Sequence, residues 1–426
     1  MNQFVVSGNI ILCIKQYPKV ENNVVVNTNK NGSGFVVSTG LLLIILIIVP
    51  LTATADARED FAKLEKAGYM ITDGSGSILS SAKARHSFVP ASTTKLITAW
   101  LALKHWGEDY RFRTEFYLDR HTSTLWVKAG GDPFLVSEEL ALIADKIAAL
   151  EPGKITNIAL DSSLFEADLV VPGATVTNNP YDAVPSAIAA NFNSIFLKKD
   201  NGKVVSAEPQ TPLTKYAREF ANEITGTSLR VNTGQKSRNS ERYFAQLLSK
   251  FLQQKGVPTE GKISWGNFPV ARADIIHTSS RTLGEIIKAM LKYSTNFIAN
   301  QIILTLAAEE TATPANFTNV HQYMQSKLTA YFSWQDFSFY EGAGLSRRNQ
   351  LTPEQLVELL VAFEPWRHLL DEIEPGIFAK TGTLTDISTL AGYIDNTNGY
   401  KIFAIMTNEK VEAQFTRKFA IELSRR

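Results

Sequence analysis

The chain has 426 residues, 44% of them hydrophobic and 20% charged, enough for two or three units at about 150 residues per domain. Lys and Arg number 43 against 42 Asp and Glu, so the formal net charge is +1 and there is no basic field for a nucleic acid. This composition excludes wholesale disorder, collagen and a disulfide-stapled miniprotein.

Residues 1–57 differ in kind from the rest. Leu41–Val49 reads LLLIILIIV, and the wider run Phe35–Val49 is interrupted only by Ser38, Thr39 and Gly40. It falls short of the about 20 residues that a bilayer-crossing helix needs. It fits the apolar part of a secretory signal, with small residues at Ala53-Thr54-Ala55 and Ala55-Asp56-Ala57 suited to cleavage. Only Lys30 flanks it, which leaves an uncleaved anchor as the alternative. The Asn-rich residues 1–34 show no period and read as an extended signal N-region or as a start placed too far upstream. The expected location is outside the cytoplasm, in the periplasm. The single thiol, Cys13, lies in this leader, so a mature chain has neither cysteine catalysis nor thiolate metal sites.

Residues 68–80 (GYMITDGSGSILS) predict a hairpin about Asp73-Gly74-Ser75-Gly76. In STTKLITAWLALKHW, Leu96, Ala99, Trp100 and Leu103 recur at helical steps, with Pro90 and Ser92 at the start. Residues 111–129 alternate and predict two strands about a polar turn. Gly130-Gly131-Asp132-Pro133 marks a loop, and Leu140, Ile143, Ile147 and Leu150 align on a helix over 137–150. Short strands and turns fill 155–232. Helices are expected over 243–252, 283–291 and 297–308, with a polar break at Ser294-Thr295-Asn296. Strands over 378–384, 389–394 and 400–406 and a helix over 415–423 close the chain. Sheet signals near residue 68 and again from 378, with helices between them, indicate an α/β (α+β) domain made of both chain ends, 58–109 and 241–426. A β-rich module is expected as an insert at 110–240.

Three short motifs carry chemistry. Ser92-Thr93-Thr94-Lys95 puts a hydroxyl and an amine on one face of a helix start, about one turn apart. Serine needs a base, and lysine becomes one when burial or a second cation lowers its pKa. Ser80 to Lys83 has the same spacing at the end of a strand, where the two side chains diverge, so Ser80 reads as a surface residue. Ser294-Thr295-Asn296 supplies a second hydroxyl and an amide in a break between apolar helices. Ser237-Arg238-Asn239 repeats that pattern in a polar stretch and reads as a turn or cap. Lys380-Thr381-Gly382-Thr383 offers a cation, hydroxyls for a carboxylate, and a glycine that leaves room for substrate. The N–H groups of Ser92 and Thr383 are candidate oxyanion donors, each worth about 2.7–4 kcal/mol of barrier. Each motif alone is more often a plain turn, cap or solvated face. Together, in this order, they form the set found in penicillin-binding proteins and class A β-lactamases.

The chain resembles the penicillin-binding-protein type D-alanyl-D-alanine carboxypeptidases, in particular the subgroup with endopeptidase activity and an insert after the nucleophile helix. The segments ARHSFVPASTTKLITAWLAL, KAGGDPFL, YDAVPSAIAANFNS and EGAGLSRRNQLTP carry the resemblance, which spans about residues 65–410. Glu341 and Ala343 stand where Asp and Ser are usual, and Thr295 where Asp is common. The resemblance implies a penicillin-binding/β-lactamase-like domain with an inserted β-rich domain. It also implies that Ser92 attacks a D-Ala-D-Ala carbonyl, Lys95 takes its proton, Ser294 passes a proton to the departing D-alanine, and Asn296 orients Lys95 or the peptide. Lys380 would supply positive field, and Thr381, Gly382 and Thr383 would line the carboxylate site. The implied partners are peptidoglycan stem peptides and β-lactams as covalent inhibitors. No cofactor and no metal is called for, and the six histidines (86, 105, 121, 277, 321, 368) show no ligand spacing. Two other readings stay open: a serine β-lactamase, and a non-catalytic module that binds peptidoglycan or β-lactams.

Overall fold

The computed structural model describes residues 57–397 and 399–425. The leader read at 1–57, with its apolar run, Cys13 and the cleavage positions, lies outside these residues except for Ala57. Ala57–Arg426 forms one compact unit.

Three sheets organise this unit. In chain order the strands are β1 (Ala67–Asp73), β2 (Ile78–Ala82), β3 (Arg113–Asp119), β4 (Thr124–Lys128), β5 (Ile155–Asp161), β6 (Ser194–Asp200), β7 (Lys203–Ser206), β8 (Ser228–Asn232), β9 (Thr259–Trp265), β10 (Ile275–Thr278), β11 (Glu372–Glu374), β12 (Ile377–Leu384), β13 (Ile387–Asn396) and β14 (Gly399–Thr407). The first sheet has six strands in the order β11-β12-β13-β14-β1-β2, so both chain ends meet in it. Every neighbouring pair is antiparallel, with β1 against β14 from Ala67↔Thr407 to Asp73↔Lys401.

The middle strands of this sheet are apolar on both faces because both faces are covered. Along β14, Ile402, Ala404 and Met406 enter a large core with Leu96, Ile97, Leu356 and Leu360 from helices. The alternating Phe403 and Ile405 enter a second core with Ala57, Phe61, Phe415 and Phe419. The period of two along a strand sorts the residues between these layers. Phe61 stacks on Phe419 at 4.6 Å, joining the first described helix (Ala57–Ala62) to the last (Phe415–Ser424). Burying a side chain of this size contributes about 1.5–3 kcal/mol.

On the other face, the helices Thr94–Trp106 and Asn296–Thr311 are buried almost all round. That explains their runs of Leu, Ile and Ala, since a helix packed on every side has no polar face. The helix Leu283–Tyr293 begins at a capping box between Thr282 and Glu285. The helices Phe317–Phe332 and Pro353–Phe363 were not anticipated, although Asn316 and Thr352 cap them in the usual way.

The second sheet has the order β10-β3-β4-β5-β9 and is mixed, with β4, β5 and β9 parallel. The parallel pairs require crossovers. The helix Ser137–Ala148 lies between β4 and β5, and the helix Ser237–Gln254 precedes β9. Leu140, Ile143 and Ile147 of the first and Phe244, Leu247 and Phe251 of the second pack on Phe116, Val127, Ile158 and Leu160. The module expected at 110–240 holds the helix expected over 137–150, and its sheet continues past 240 to Thr278. β9 and β10 complete edges that β5 and β3 would otherwise leave open. A three-stranded sheet, β7-β6-β8, accompanies it.

Candidate active site

Ser92 does not lie in the α-helix itself. It is the middle residue of a 3₁₀ turn, Ala91–Thr93, that leads into the helix Thr94–Trp106. The turn is held by Thr93 Oγ1 donating to the carbonyl of Pro90 at 2.6 Å, and by Thr389 Oγ1 of β13 donating to the same carbonyl at 2.8 Å. Ser92 is half-buried, whereas Lys95, one turn on, has no exposed surface.

The surroundings of Lys95 define its chemistry. Its Nζ lies 3.0 Å from Ser92 Oγ, 2.8 Å from Asn296 Oδ1 and 2.7 Å from the carbonyl oxygen of Ala343. The last two partners only accept. A neutral amine therefore donates its two N–H bonds to Asn296 and Ala343 and turns its lone pair to the Ser92 hydroxyl. Asn296 is oriented by its own Nδ2, which donates to the carbonyl of Tyr181 at 3.3 Å. Burial pushes the Lys95 pKa well below that of a free lysine, and the charge of Lys380 lowers it further, while Glu341 opposes the shift. This is the condition for a lysine base.

Lys380 is also buried, and burial pushes it down to about 7. Its Nζ donates to the Thr381 carbonyl at 2.7 Å. Along β12, Lys380 and Gly382 are buried and Thr381 and Thr383 exposed, as strand alternation requires. Gly382 has a reason that differs from the sequence expectation of room for substrate. A Cβ there would lie 2.2 Å from Thr389 Oγ1 and 2.9 Å from the Ser92 nitrogen. The glycine lets β12 close on the nucleophile turn.

Ser294 ends the helix Leu283–Tyr293 in a left-handed conformation at φ 55°, and Asn296 opens the next helix. No hydrogen bond among the described residues joins the Ser294 hydroxyl to Lys95. The structure thus joins Ser92, Lys95 and Asn296 by hydrogen bonds, sets Gly382 against the Ser92 turn, and brings Lys380 close enough to act on Lys95 by charge. The decoy motifs separate. Ser80 is half-buried and shares a hydrogen bond with Tyr69 at 2.8 Å, while Lys83 donates to the carbonyl of Glu65. Ser237 and Asn239 sit in the first turn of their helix, where the Ser237 N–H donates to Asp168. Sequence reasoning missed the carbonyls of Ala343 and Tyr181, which have no side-chain signature. Glu341 was visible only as part of the EGAGLSRRNQ stretch.

Comparison with known proteins shows the family. The profile of the D-Ala-D-Ala carboxypeptidase 3 (S13) family matches residues 52–374 and 371–425. A D-alanyl-D-alanine carboxypeptidase from Actinomadura sp. is 23% identical, over 80% of this chain and 77% of its own. D-alanyl-D-alanine carboxypeptidase DacB from Haemophilus influenzae is 22% identical, over 73% of this chain and 78% of its own. Among solved structures, penicillin binding protein 4 (dacB) from Haemophilus influenzae superposes with a TM-score of 0.71 at 20% identity, covering 87% of this chain and 99% of that one. The same protein complexed with a β-lactam gives 0.67 at 19% identity, covering 87% and 98%. The chain belongs to the D-Ala-D-Ala carboxypeptidase 3 (S13) family and has the penicillin-binding-protein fold. Its activity is that of a serine-type D-Ala-D-Ala carboxypeptidase, a hydrolase.

Proposed function

We propose that Ser92 is the nucleophile and Lys95 its base in the removal of the terminal D-alanine from peptidoglycan stem peptides. The observation that carries this is the buried Lys95 Nζ at 3.0 Å from Ser92 Oγ. Ser92 Oγ attacks the carbonyl carbon of the penultimate D-alanine as its proton passes to Lys95 Nζ. The N–H groups of Ser92 and Thr383 receive the oxyanion. The C–N bond then breaks, and the leaving amine takes a proton through Ser294, leaving an ester on Ser92. Water hydrolyses that ester, with its proton returning through Lys95 to the serine. Thr381 and Thr383 hold the terminal carboxylate in the positive field of Lys380, and Asn296 keeps Lys95 aimed. The same acyl-enzyme chemistry accepts a β-lactam, as the complex of the Haemophilus protein supports. A cross-link with the same D-alanyl bond is a second substrate, which would make the protein an endopeptidase as well.

The reading extends to place and organisation. The leader directs export to the periplasm, where the substrate is found. No helix among the described residues is long and apolar enough to cross a membrane. The catalytic part comprises residues 58–112 and 279–425, with a middle module at 113–278.

Fluorescent penicillin should label the protein covalently and leave Ser92→Ala unlabelled. Full labelling of that variant would overturn the assignment. Mass spectrometry of muropeptides after incubation should show loss of one D-alanine, and splitting of cross-linked dimers would report the endopeptidase reaction. Sustained cephalosporin turnover would instead indicate a β-lactamase.

A further inference from the structure

Glu341 has no exposed surface and lies in the turn that follows Tyr340, with no part in the steps above. Its Oε2 accepts from the N–H of Ala343 at 2.7 Å. Its Oε1 accepts from the N–H groups of Gly344 and Leu345 and from Asn349 Nδ2, each at 2.8 Å, and from the Ser346 N–H at 3.3 Å. A buried carboxylate that collects this many donors dictates the path of the backbone around it.

That path reaches both reacting groups. Ala343 lends its carbonyl to Lys95 at 2.7 Å. Gly344 has φ +86°, and a Cβ there would fall 1.8 Å from the Ala91 carbonyl oxygen and 2.9 Å from the Ser92 nitrogen. The turn is anchored from behind, since the Gly342 N–H donates to Asn300 Oδ1 at 2.8 Å and Thr98 Oγ1 donates to the Gly342 carbonyl at 2.7 Å. The groups packed on Lys95 are Ser92, Asn296 and Ala343. The charges that act on it are Lys380 from β12, which disfavours its ammonium form, and Glu341, which favours it.

We propose that Glu341 is a positioning residue for the Lys95 amine: it folds the 341–346 turn so that the Ala343 carbonyl receives one Lys95 N–H, and it sets a single negative charge beside the Lys95–Lys380 pair. The charge has a purpose. A lysine that is buried and also repelled by a second lysine, with no counter-charge, would be a weak proton acceptor, and a base works best when its pKa stays near the working pH. Glutamate supplies that charge without touching substrate. This inference rests on the assignment of Lys95 as the base.

The test compares Glu341→Gln and Glu341→Asp in the full chain, reading the acylation rate constant for fluorescent penicillin against pH, per folded molecule. Glutamine turns an amide toward the Ala343 N–H and removes the charge. A displacement of the Ala343 carbonyl by about 1 Å is expected to slow acylation about a hundredfold. Lys95 acts when neutral and Glu341 favours its charged form, so the acid limb of the Gln profile moves to lower pH. Aspartate keeps the charge with a shorter reach, so its limb stays in place and acylation slows less. A folded Gln variant whose acid limb coincides with the wild type overturns the proposal, because a purely structural role leaves the limb unmoved. Should the Gln variant not fold, the shorter pair Glu341→Asp and Glu341→Asn decides: an acid limb for Asn below that of Asp supports the proposal, and coincident limbs overturn it. Ser92→Ala is run alongside. Labelling retained there would sink the assignment of the nucleophile itself, separately from the result at Glu341.

Discussion

Two buried charge clusters divide the molecule. In the second sheet, Glu139 on the helix Ser137–Ala148 meets His277 Nε2 of β10 at 2.7 Å, and accepts from the N–H and hydroxyl of Ser280. Burial pushes the Glu139 carboxyl up, but these hydrogen bonds outweigh it and hold the carboxyl below its usual range. Beside the first sheet, Lys95 of the helix Thr94–Trp106 and Lys380 of β12 are as deeply buried, and there burial disfavours the charged forms and so lowers both pKa values. One cluster is compensated and ties elements together. The other is left short of negative charge, and the shortfall leaves an amine of lowered pKa beside Ser92. Burial of charge is common to both, and the balance of partners decides whether it becomes structure or chemistry.

Four measurements would break or sharpen that contrast. The largest effect is expected for Lys95→Gln, which should cut the penicillin acylation rate about 10²–10⁴-fold, the span of a lost general base. Near-wild-type labelling would mean that the base lies elsewhere. Next, His277→Ala should destabilise the fold by about 3–5 kcal/mol in urea, since it leaves Glu139 buried with a partner missing. Its acylation limbs should not move. Because the folded Glu139 pKa is lowered, its contribution is present above the ordinary carboxylate range and lost as pH falls through the folded value, so the His277→Ala deficit should shrink at low pH.

Third, acylation by penicillin against pH should be bell-shaped. Below the lowered Lys95 pKa the base is protonated and the rate falls. At higher pH the unliganded enzyme loses the Lys380 cation as pH passes about 7, weakening the hold on a carboxylate. A rate that climbs without a break to the pKa of a free lysine would show that neither amine is lowered. The smallest effect is expected at an exposed ion pair on the second sheet. Lys154 and Glu260 pair at 2.5 Å with 58% and 48% of their side chains exposed, and breaking that pair should cost no more than about 1 kcal/mol. Acylation kinetics should be unchanged.

Much of this was legible in the chain. The hairpin about Asp73, the apolar helix after Ser92, the strand at Lys380 and the closing helix with Phe415 and Phe419 announce themselves through period and turn chemistry. The pairing of β1 with β14 was implied by sheet signals at both ends. The helices at 317–332 and 353–363 escaped because their caps, Asn316 and Thr352, stand among other polar residues that suit turns equally well. β9 and β10 escaped because edge strands with polar residues lack a clean alternation.

The order of residues along the chain determined which groups exist for the chemistry: a serine three positions before a lysine, an Asn after a helix break, a Lys-Thr-Gly on a strand. The elements on which they fall already set the repeated motifs apart, and folding supplied the partners that aim them. Lys95 has its direction from two oxygens, one on Asn296 and one on the backbone of Ala343, 201 and 248 positions away. A backbone carbonyl is the same in every residue type, so no sequence pattern marks the one that matters. The loss of water around Lys95 follows from the helices that close over it, and a pKa responds to that enclosure rather than to neighbours in the chain.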